Sequence, residues 1–273
     1  MKKIFIFAFA CIAFAACQPK LIILHTNDTH SHFDPVRGGR NNGKGGIIER
    51  AAFVDSVRAR YGDDKVLLLH AGDFNQGTTY HSELKGKLEP LMMNALRYDC
   101  VTLGNHELDE GIESLAERLG RTDAPVVCAN CIFPDVLQQH VKPYVIMYKA
   151  GLKIGIIGME SDIASMVAHP IASRIRQLDN VDTIMKYAPM LKNQEKCDLV
   201  ILLSHLGYGE DIKVARMTKG IDIIIGGHTH TFVEGFKYVV NQEGKKIPII
   251  TDGCWGLEMG EIKVRNSTPR YAE

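Results

Sequence analysis

Leu21-Ile22-Ile23-Leu24-His25-Thr26-Asn27-Asp28-Thr29-His30 is an aliphatic run that breaks abruptly into polar residues carrying a carboxylate and an imidazole. The same figure recurs down the chain. Residues 66–69 (VLLL) precede Gly72-Asp73, and 100–103 (CVTL) precede Gly104-Asn105-His106-Glu107. Residues 199–203 (LVILL) precede Ser204-His205, and 221–225 (IDIII) precede Gly227-His228-Thr229-His230. Each run is short, continuous and aliphatic, with Gly or Asn close behind, which predicts strands covered on both faces. Helices are predicted between them at 47–60, 90–97, 112–120, 181–195 and 211–218, with Pro90 at a first helical position, where its missing N–H costs nothing. The alternation gives an α/β fold. In such sheets ligands collect beyond the carboxyl ends of the strands, so the five polar clusters are expected to converge on one site.

The 273 residues are 45% hydrophobic and 23% charged, enough for a large core, and no internal linker, repeat or low-complexity stretch divides them. Lys and Arg total 32 and Asp and Glu total 32, a balance that excludes an electrostatic footprint for a nucleic-acid polymer or an acidic membrane surface. Any anion must be bound locally.

Lys2 and Lys3 precede an apolar stretch over 4–16, too short to span a bilayer and shaped like the core of a secretory signal. Phe14-Ala15-Ala16-Cys17 resembles a bacterial lipobox, with Phe14 where Leu is usual. Residues 1–16 are therefore expected to be a lipoprotein-type signal peptide and Cys17 a lipidated first mature residue. The protein would then be exported to the bacterial cell envelope and lipid-anchored, in the periplasm or at the outer membrane. Without Cys11 and Cys17, the cysteines are Cys100, Cys128, Cys131, Cys197 and Cys254, an odd set that excludes a complete disulfide framework. Cys128-Ala129-Asn130-Cys131 has zinc-knuckle spacing but no second pair to complete four ligands, and reads as a buried strand end.

The five clusters together supply mixed imidazole and carboxylate ligands, the set that a pair of divalent metals requires. Phosphoester hydrolysis is slow because water must attack an anion and expel a poor leaving group. Two metals about 3.5–4 Å apart ionise a bridging water, neutralise phosphoryl oxygens and hold the group for in-line displacement. Asp28, His30, Asp73 and His230 are assigned to one metal, and Asp73, Asn105, His205 and His228 to the other, with Asp73 bridging. The loaded site would be net positive and would attract phosphate. Zinc, manganese, iron and cobalt all suit such N/O ligands.

These motifs, in this order, resemble those of the calcineurin-like metallophosphoesterases. Leu24-His25-Thr26-Asn27-Asp28-Thr29-His30 and Gly104-Asn105-His106-Glu107-Leu108-Asp109 look specifically like the 5′-nucleotidase branch, and the resemblance runs from about Leu21 to Val264. It implies a four-layer αββα sandwich of two mixed β-sheets flanked by helices, the metal assignments above, and a catalytic dyad of His106 oriented by Asp109. Where nucleotidases often have Gln, His230 keeps an imidazole. A protonated His106 could stabilise transition-state charge and protonate the leaving alkoxide, with Asp109 fixing its tautomer and raising its pKa. The resemblance also implies a carboxy-terminal domain that grips the nucleoside between aromatics. The chain ends soon after 260–265, so residues 17–273 are expected to be a single catalytic domain without a C-terminal nucleotide-binding domain.

The small-molecule substrate is thus expected to be a phosphomonoester, a 5′-nucleotide or related metabolite, with a separate nucleotide-binding chain as a possible partner. Other two-metal hydrolases stay open: a cyclic-nucleotide phosphodiesterase, a UDP-sugar hydrolase or a thiosulfohydrolase. A non-catalytic metal-binding subunit is the third reading, opposed by the dyad. Phe74, Tyr80 and Tyr208 follow ligand positions closely enough to offer a partial base clamp. His25, His32, His70, His81, His140 and His169 read as structural or solvent-facing, although His30-Ser31-His32 alternates so that His32 competes with His30. Glu107 reads as a supporting or helix-entry residue. Residues 38–45 (GGRNNGKG) lack the Ser or Thr and the strand-to-helix context of a P-loop, and read as a flexible rim near the metal site.

Overall fold

The aliphatic runs fold into strands whose alternate residues feed different cores. The computed structural model describes residues 20–265 and 270–272, so the signal segment and Cys17 lie outside the described residues. The strands are β1 (Leu21–Thr26), β2 (Val66–His70), β3 (Cys100–Thr102), β4 (Val126–Val127), β5 (Cys131–Ile132), β6 (Val141–Lys142), β7 (Tyr144–Lys149) and β8 (Leu152–Met159). They continue with β9 (Arg176–Gln177), β10 (Leu199–Ser204), β11 (Ile223–Ile225), β12 (Lys237–Val240), β13 (Lys246–Ile250), β14 (Gly260–Arg265) and β15 (Arg270–Ala272).

Among the described residues one sheet runs β15-β14-β1-β2-β3-β4-β6 and a second runs β12-β13-β11-β10-β8-β7, with β5 and β9 forming a small ribbon. In the first sheet β1, β2, β3, β4 and β6 are parallel, and β14 and β15 add antiparallel pairings at one edge. In the second, β8, β10, β11 and β13 are parallel, and β7 and β12 close the edges antiparallel. Both sheets are mixed, as expected.

The pleat points successive side chains to opposite faces. Leu21, Ile23, Leu67 and Leu69 therefore meet Ile154, Ile156, Leu199, Ile201 and Leu203 in a core between the sheets. Their neighbours Ile22, Leu24 and Leu68 turn outward onto Val54, Val57 and Leu115 of the covering helices. On the far side Val200, Leu202 and Ile224 meet Ile184, Leu191 and Val214. This is the four-layer αββα sandwich. Each fully buried Leu or Ile contributes about 1.5–3 kcal/mol relative to exposure, so the uninterrupted runs of β1, β2 and β10 carry much of the stability.

The helices Ile47–Tyr61, Ile112–Leu119 and Asn180–Asn193 match expectation within two residues at each end. Two starts differ. Glu89 opens the next helix, Glu89–Leu96, so Pro90 takes its second position, which tolerates proline equally because first-turn N–H groups have no intrahelical acceptor. The helix expected from 211 begins at Tyr208, entered through Gly207 at φ +94°, and the Tyr208 N–H donates to Thr229 Oγ1 at 3.2 Å. Thr229 of the His-Thr-His motif thus anchors a helix start between two ligand candidates. Cys128 follows β4 and Cys131 opens β5, both buried and free, as a strand end requires.

Candidate metal centre

The polar clusters sit on the turns that leave β1, β2, β3, β10 and β11, so the carboxyl ends of both sheets supply one site. These turns are sharp. Asp28, His30, Asp73, His228 and His230 all have left-handed backbones, with φ of 48°, 46°, 53°, 76° and 51°. For a residue with a Cβ that conformation costs on the order of 1–2 kcal/mol and persists only where neighbours impose it. Here the turns hold one another. The Asp28 N–H donates to the Gly72 carbonyl at 2.9 Å, and the His30 N–H to the Asp73 carbonyl at 3.1 Å. The His228 N–H donates to both oxygens of Asp28, at 3.1 and 2.9 Å.

Glu107, fully buried, ties two of the turns together. It accepts from the N–H groups of Asp73, Phe74 and Asn75 at 2.9, 3.0 and 3.1 Å, and from that of Gly104 at 2.6 Å. Gly104 must be glycine for a steric reason, since a Cβ there would lie 2.4 Å from Asp73 Oδ1 and 2.7 Å from His205 Nε2.

The imidazoles are oriented from behind. His205 Nδ1–H donates to the Ala71 carbonyl at 2.7 Å and His30 Nδ1–H to the Asn75 carbonyl at 3.1 Å, leaving both Nε2 atoms to face inward. His205 Nε2 lies 3.1 Å from Asp73 Oδ2, and His30 Nε2 lies 3.9 Å from the same oxygen and 3.8 Å from Asp28 Oδ1. His230 Nε2 stands 3.5 Å from Asp28 Oδ1 and 2.9 Å from His30 Nε2. Burial lowers the pKa of His30 and of His228 to about 4, so both are neutral with a lone pair to offer. Burial raises the Asp28 carboxyl to about 6, while Asp73, although buried, is held well below the usual carboxylate range by His205 beside it.

Lone pairs and carboxylate oxygens thus converge within a few ångströms of one another, an arrangement that repels itself unless a cation sits among them. The proton that Asp73 and His205 would otherwise share is what a metal ion displaces on binding. The candidate ligand atoms of Asp28, His30 and His230 lie within 4.8 Å of one another, as do those of Asp73, His205 and His228. Asp73 lies between the two groups, and Asn105, also buried, lines the same cavity of about 500 Å³. The donor set fits divalent metals.

His106 lines that cavity as well. Its Nδ1 is hydrogen bonded to Asp109 Oδ2 at 2.7 Å, and its ring meets that of His30 edge-on at 5.3 Å. The bond to Asp109 and the field of Asp73 outweigh burial and raise its pKa to about 9, so the ring is cationic at neutral pH. Its ligand atom also lies within 4.8 Å of those of His30 and Asp73.

The competing histidines join none of these ligand groups, although His32 lines the same cavity. His32 donates from Nδ1 to the His30 carbonyl at 2.9 Å and stacks on Trp255 with centroids 5.0 Å apart. His25 is buried against Asp252 at 2.6 Å, His70 bonds Thr29 at 2.9 Å, and His81 faces Glu110 at 3.4 Å. Of the clamp candidates, Phe74 is buried in the core and Tyr208 packs beside the third apolar cluster, whereas Tyr80 lines a cavity. The loop at 38–45 is braced by bonds between Val36 and Lys44 and between Gly43 and Val36, and its first glycines reach that same cavity. Sequence reasoning missed the loop 252–255. The Asn27 side chain bonds the Gly253 carbonyl and the Asp252 N–H, and the Trp255 N–H donates to the Asp28 carbonyl at 2.7 Å. The one available signal was that Trp255 is the sole tryptophan.

A family model described as calcineurin-like phosphoesterase matches residues 21–232. Among curated relatives, the snake venom 5′-nucleotidase of Crotalus adamanteus is 31% identical over 280 residues, covering 93% of this chain and 47% of the relative. The 5′-nucleotidase of Homo sapiens is 30% identical over 274 residues, covering 92% and 47%. The chain spans about half the length of the curated relatives it matches. Among solved structures, a 5′-nucleotidase precursor from Thermus thermophilus superposes with a TM-score of 0.84 at 32% identity, covering 93% of this chain and 53% of that one.

Proposed function

The chain belongs to the calcineurin-like phosphoesterase family, and from that premise we propose that it is a metal-dependent phosphomonoester hydrolase acting on 5′-nucleotides or related small phosphoesters. The observation that carries this reading is the convergence of Asp28, His30 and His230, and of Asp73, His205 and His228, into two adjoining ligand groups beside a cationic His106. Two divalent cations, when bound, would acidify a water and neutralise phosphoryl charge. Asp28, His30 and His230 would hold one of them and Asn105, His205 and His228 the other, with Asp73 shared between the two.

The rest of the chemistry belongs to the chain's own side chains. His106 faces the cavity as a cation, so it can draw a phosphoryl oxygen inward and pass its proton from Nε2 to the departing alkoxide. Asp109, bonded to Nδ1, fixes the tautomer that leaves Nε2–H toward substrate, and its charge stabilises the imidazolium before transfer. Glu107 positions Asp73 and the turn at Gly104 through their N–H groups.

We also propose that the chain is exported and lipid-anchored through Cys17, on the strength of the 1–17 segment alone; the mass of the mature amino terminus tests it. The central test is a substrate panel on protein stripped by chelator and reloaded in turn with zinc, manganese, iron or cobalt. 5′-Nucleotides, a cyclic nucleotide, a UDP-sugar and a thiosulfate ester form the panel. Metal-restored release of phosphate from monoesters is expected, and activity confined to any other class would replace the reading.

A further inference from the structure

A second cavity, of about 1030 Å³, adjoins the metal cavity, and His32 and Trp255 line both. Its walls carry aromatic rings. The rings of Phe33 and Tyr80 meet edge-to-face with centroids 5.3 Å apart, while the Trp255 indole lies nearly parallel to His32, at 17°. All three rings are half-buried, leaving surface for a ligand. Polar groups stand among them: Asp34, Arg37 and Glu83.

The walls are set by the same backbone that sets the metal ligands. Trp255 has φ +62°, a left-handed conformation unfavourable for so bulky a residue, and it is held there by the bond from its N–H to the Asp28 carbonyl. Strain of that kind points to a position that must be kept. Phe33 is fixed on both sides, its N–H donating to the Ser31 carbonyl at 2.9 Å and its carbonyl accepting from Ile47 at 2.8 Å. Ser31 in turn follows His30. The aromatic cavity is therefore rigidly registered to the site where a phosphate would sit.

A ligand filling both cavities needs an anionic end, a short polar spacer, and a flat apolar head with a hydrogen-bonding rim. A nucleoside monophosphate has that shape, and small-molecule sites are commonly about 300–1,000 Å³. Resting on the phosphomonoesterase reading, we propose that the cavity walled by Phe33, Tyr80 and Trp255 is the subsite for the aromatic base of the substrate, so that this chain reads the nucleoside itself. Asp34, Arg37 and Glu83 would meet the donors and acceptors on the base edge.

Because Trp255 is the sole tryptophan and lines both cavities, its fluorescence reports on ligand binding there, and the Tyr80 and Phe33 variants assign the response to the aromatic one. Adenosine, which carries no phosphate and stays intact, is titrated into the purified protein. A saturable change is expected with adenosine and none with ribose. Base stacking on an aromatic ring is lost about 5- to 150-fold on truncation to alanine, so Tyr80→Ala and Phe33→Ala should each raise the apparent Kd within that range. Tyr80→Phe, which keeps the ring, should bind close to the parent and so separates lost stacking from lost folding. No saturable response in the parent, or alanine variants that bind as the parent does, overturns the subsite; a cavity that seats another protein segment would give that outcome. Release of phosphate from glycerol phosphate by the metal-loaded parent reads the hydrolase separately. Hydrolysis without adenosine binding rejects only the subsite, and adenosine binding without hydrolysis rejects only the reaction.

Discussion

For single side chains, the competition between a proton and a cation decides what Asp73 and His205 do. Both are buried, and at 3.1 Å the pair holds a proton when nothing else neutralises the carboxylate. Asp73 also approaches His30, so its removal should affect both ligand groups. Asp73→Ala is expected to abolish turnover and release both metals; two equivalents still bound by elemental analysis would end its proposed bridging role. His106 differs, because its Nδ1 is committed to Asp109. His106→Asn should keep both metals but lose rate by roughly 10²–10⁴, the range for a positioned acid. Aryl phosphates, which leave without protonation, should suffer less than alkyl ones. Equal losses on the two would reduce His106 to charge stabilisation.

At the level of elements, the site depends on how strands hand over to turns and helices. β10 ends at Ser204, whose Oγ–H donates to Asp211 Oδ1 at 2.5 Å, joining the strand that carries His205 to the helix Tyr208–Met217. Asp211 is fully buried, its other oxygen has no hydrogen-bond partner among the described residues, and burial raises its pKa to about 7. An unfolded Asp titrates near 3.9. Between those values the folded chain binds the extra proton, so this residue's contribution to stability is full below about pH 4 and is lost as pH rises to about 7. Each unit between folded and unfolded pKa is worth about 1.4 kcal/mol. Asp211→Asn, fixed in the neutral form, is expected to be more stable relative to the parent at pH 8 than at pH 4.5. Urea denaturation of both proteins at the two pH values checks it, and parallel pH dependence would show Asp211 to be no source of the slope.

For the whole molecule, the three apolar clusters seen among the described residues hold the four layers together, and the candidate metal centre lies at one rim. Chelation should therefore leave the secondary structure intact. It should still lower Tm, because Asp28 and Asp73 would be left buried without the cations. A ligand present at a thousand times its Kd adds about 4 kcal/mol. Each kcal/mol moves Tm by about 2–4 °C in a chain near this size, so a fall on the order of 10 °C is expected. Circular dichroism and a thermal scan before and after chelation measure both, and loss of the far-ultraviolet signal would make the centre a structural element.

The sequence by itself determined the strands and the ligand candidates. A buried parallel strand leaves a continuous aliphatic run, and a turn at its carboxyl end must be polar, so 21–30 or 199–205 is legible without coordinates. The αββα layering followed from the motifs' resemblance to a family, and the pleat alternation of Leu21, Ile22 and Ile23 carries it in the structure. Helix starts were less legible, since Gly207 and Thr229 set the beginning at Tyr208 through a contact 21 residues away. The separate partners of His30 and His32, the tether through Glu107 and the placing of Trp255 against Asp28 were decided only by the tertiary structure. Each depends on backbone groups from separate strands meeting at left-handed turns, and neither spacing nor composition records which distant carbonyl an N–H will find.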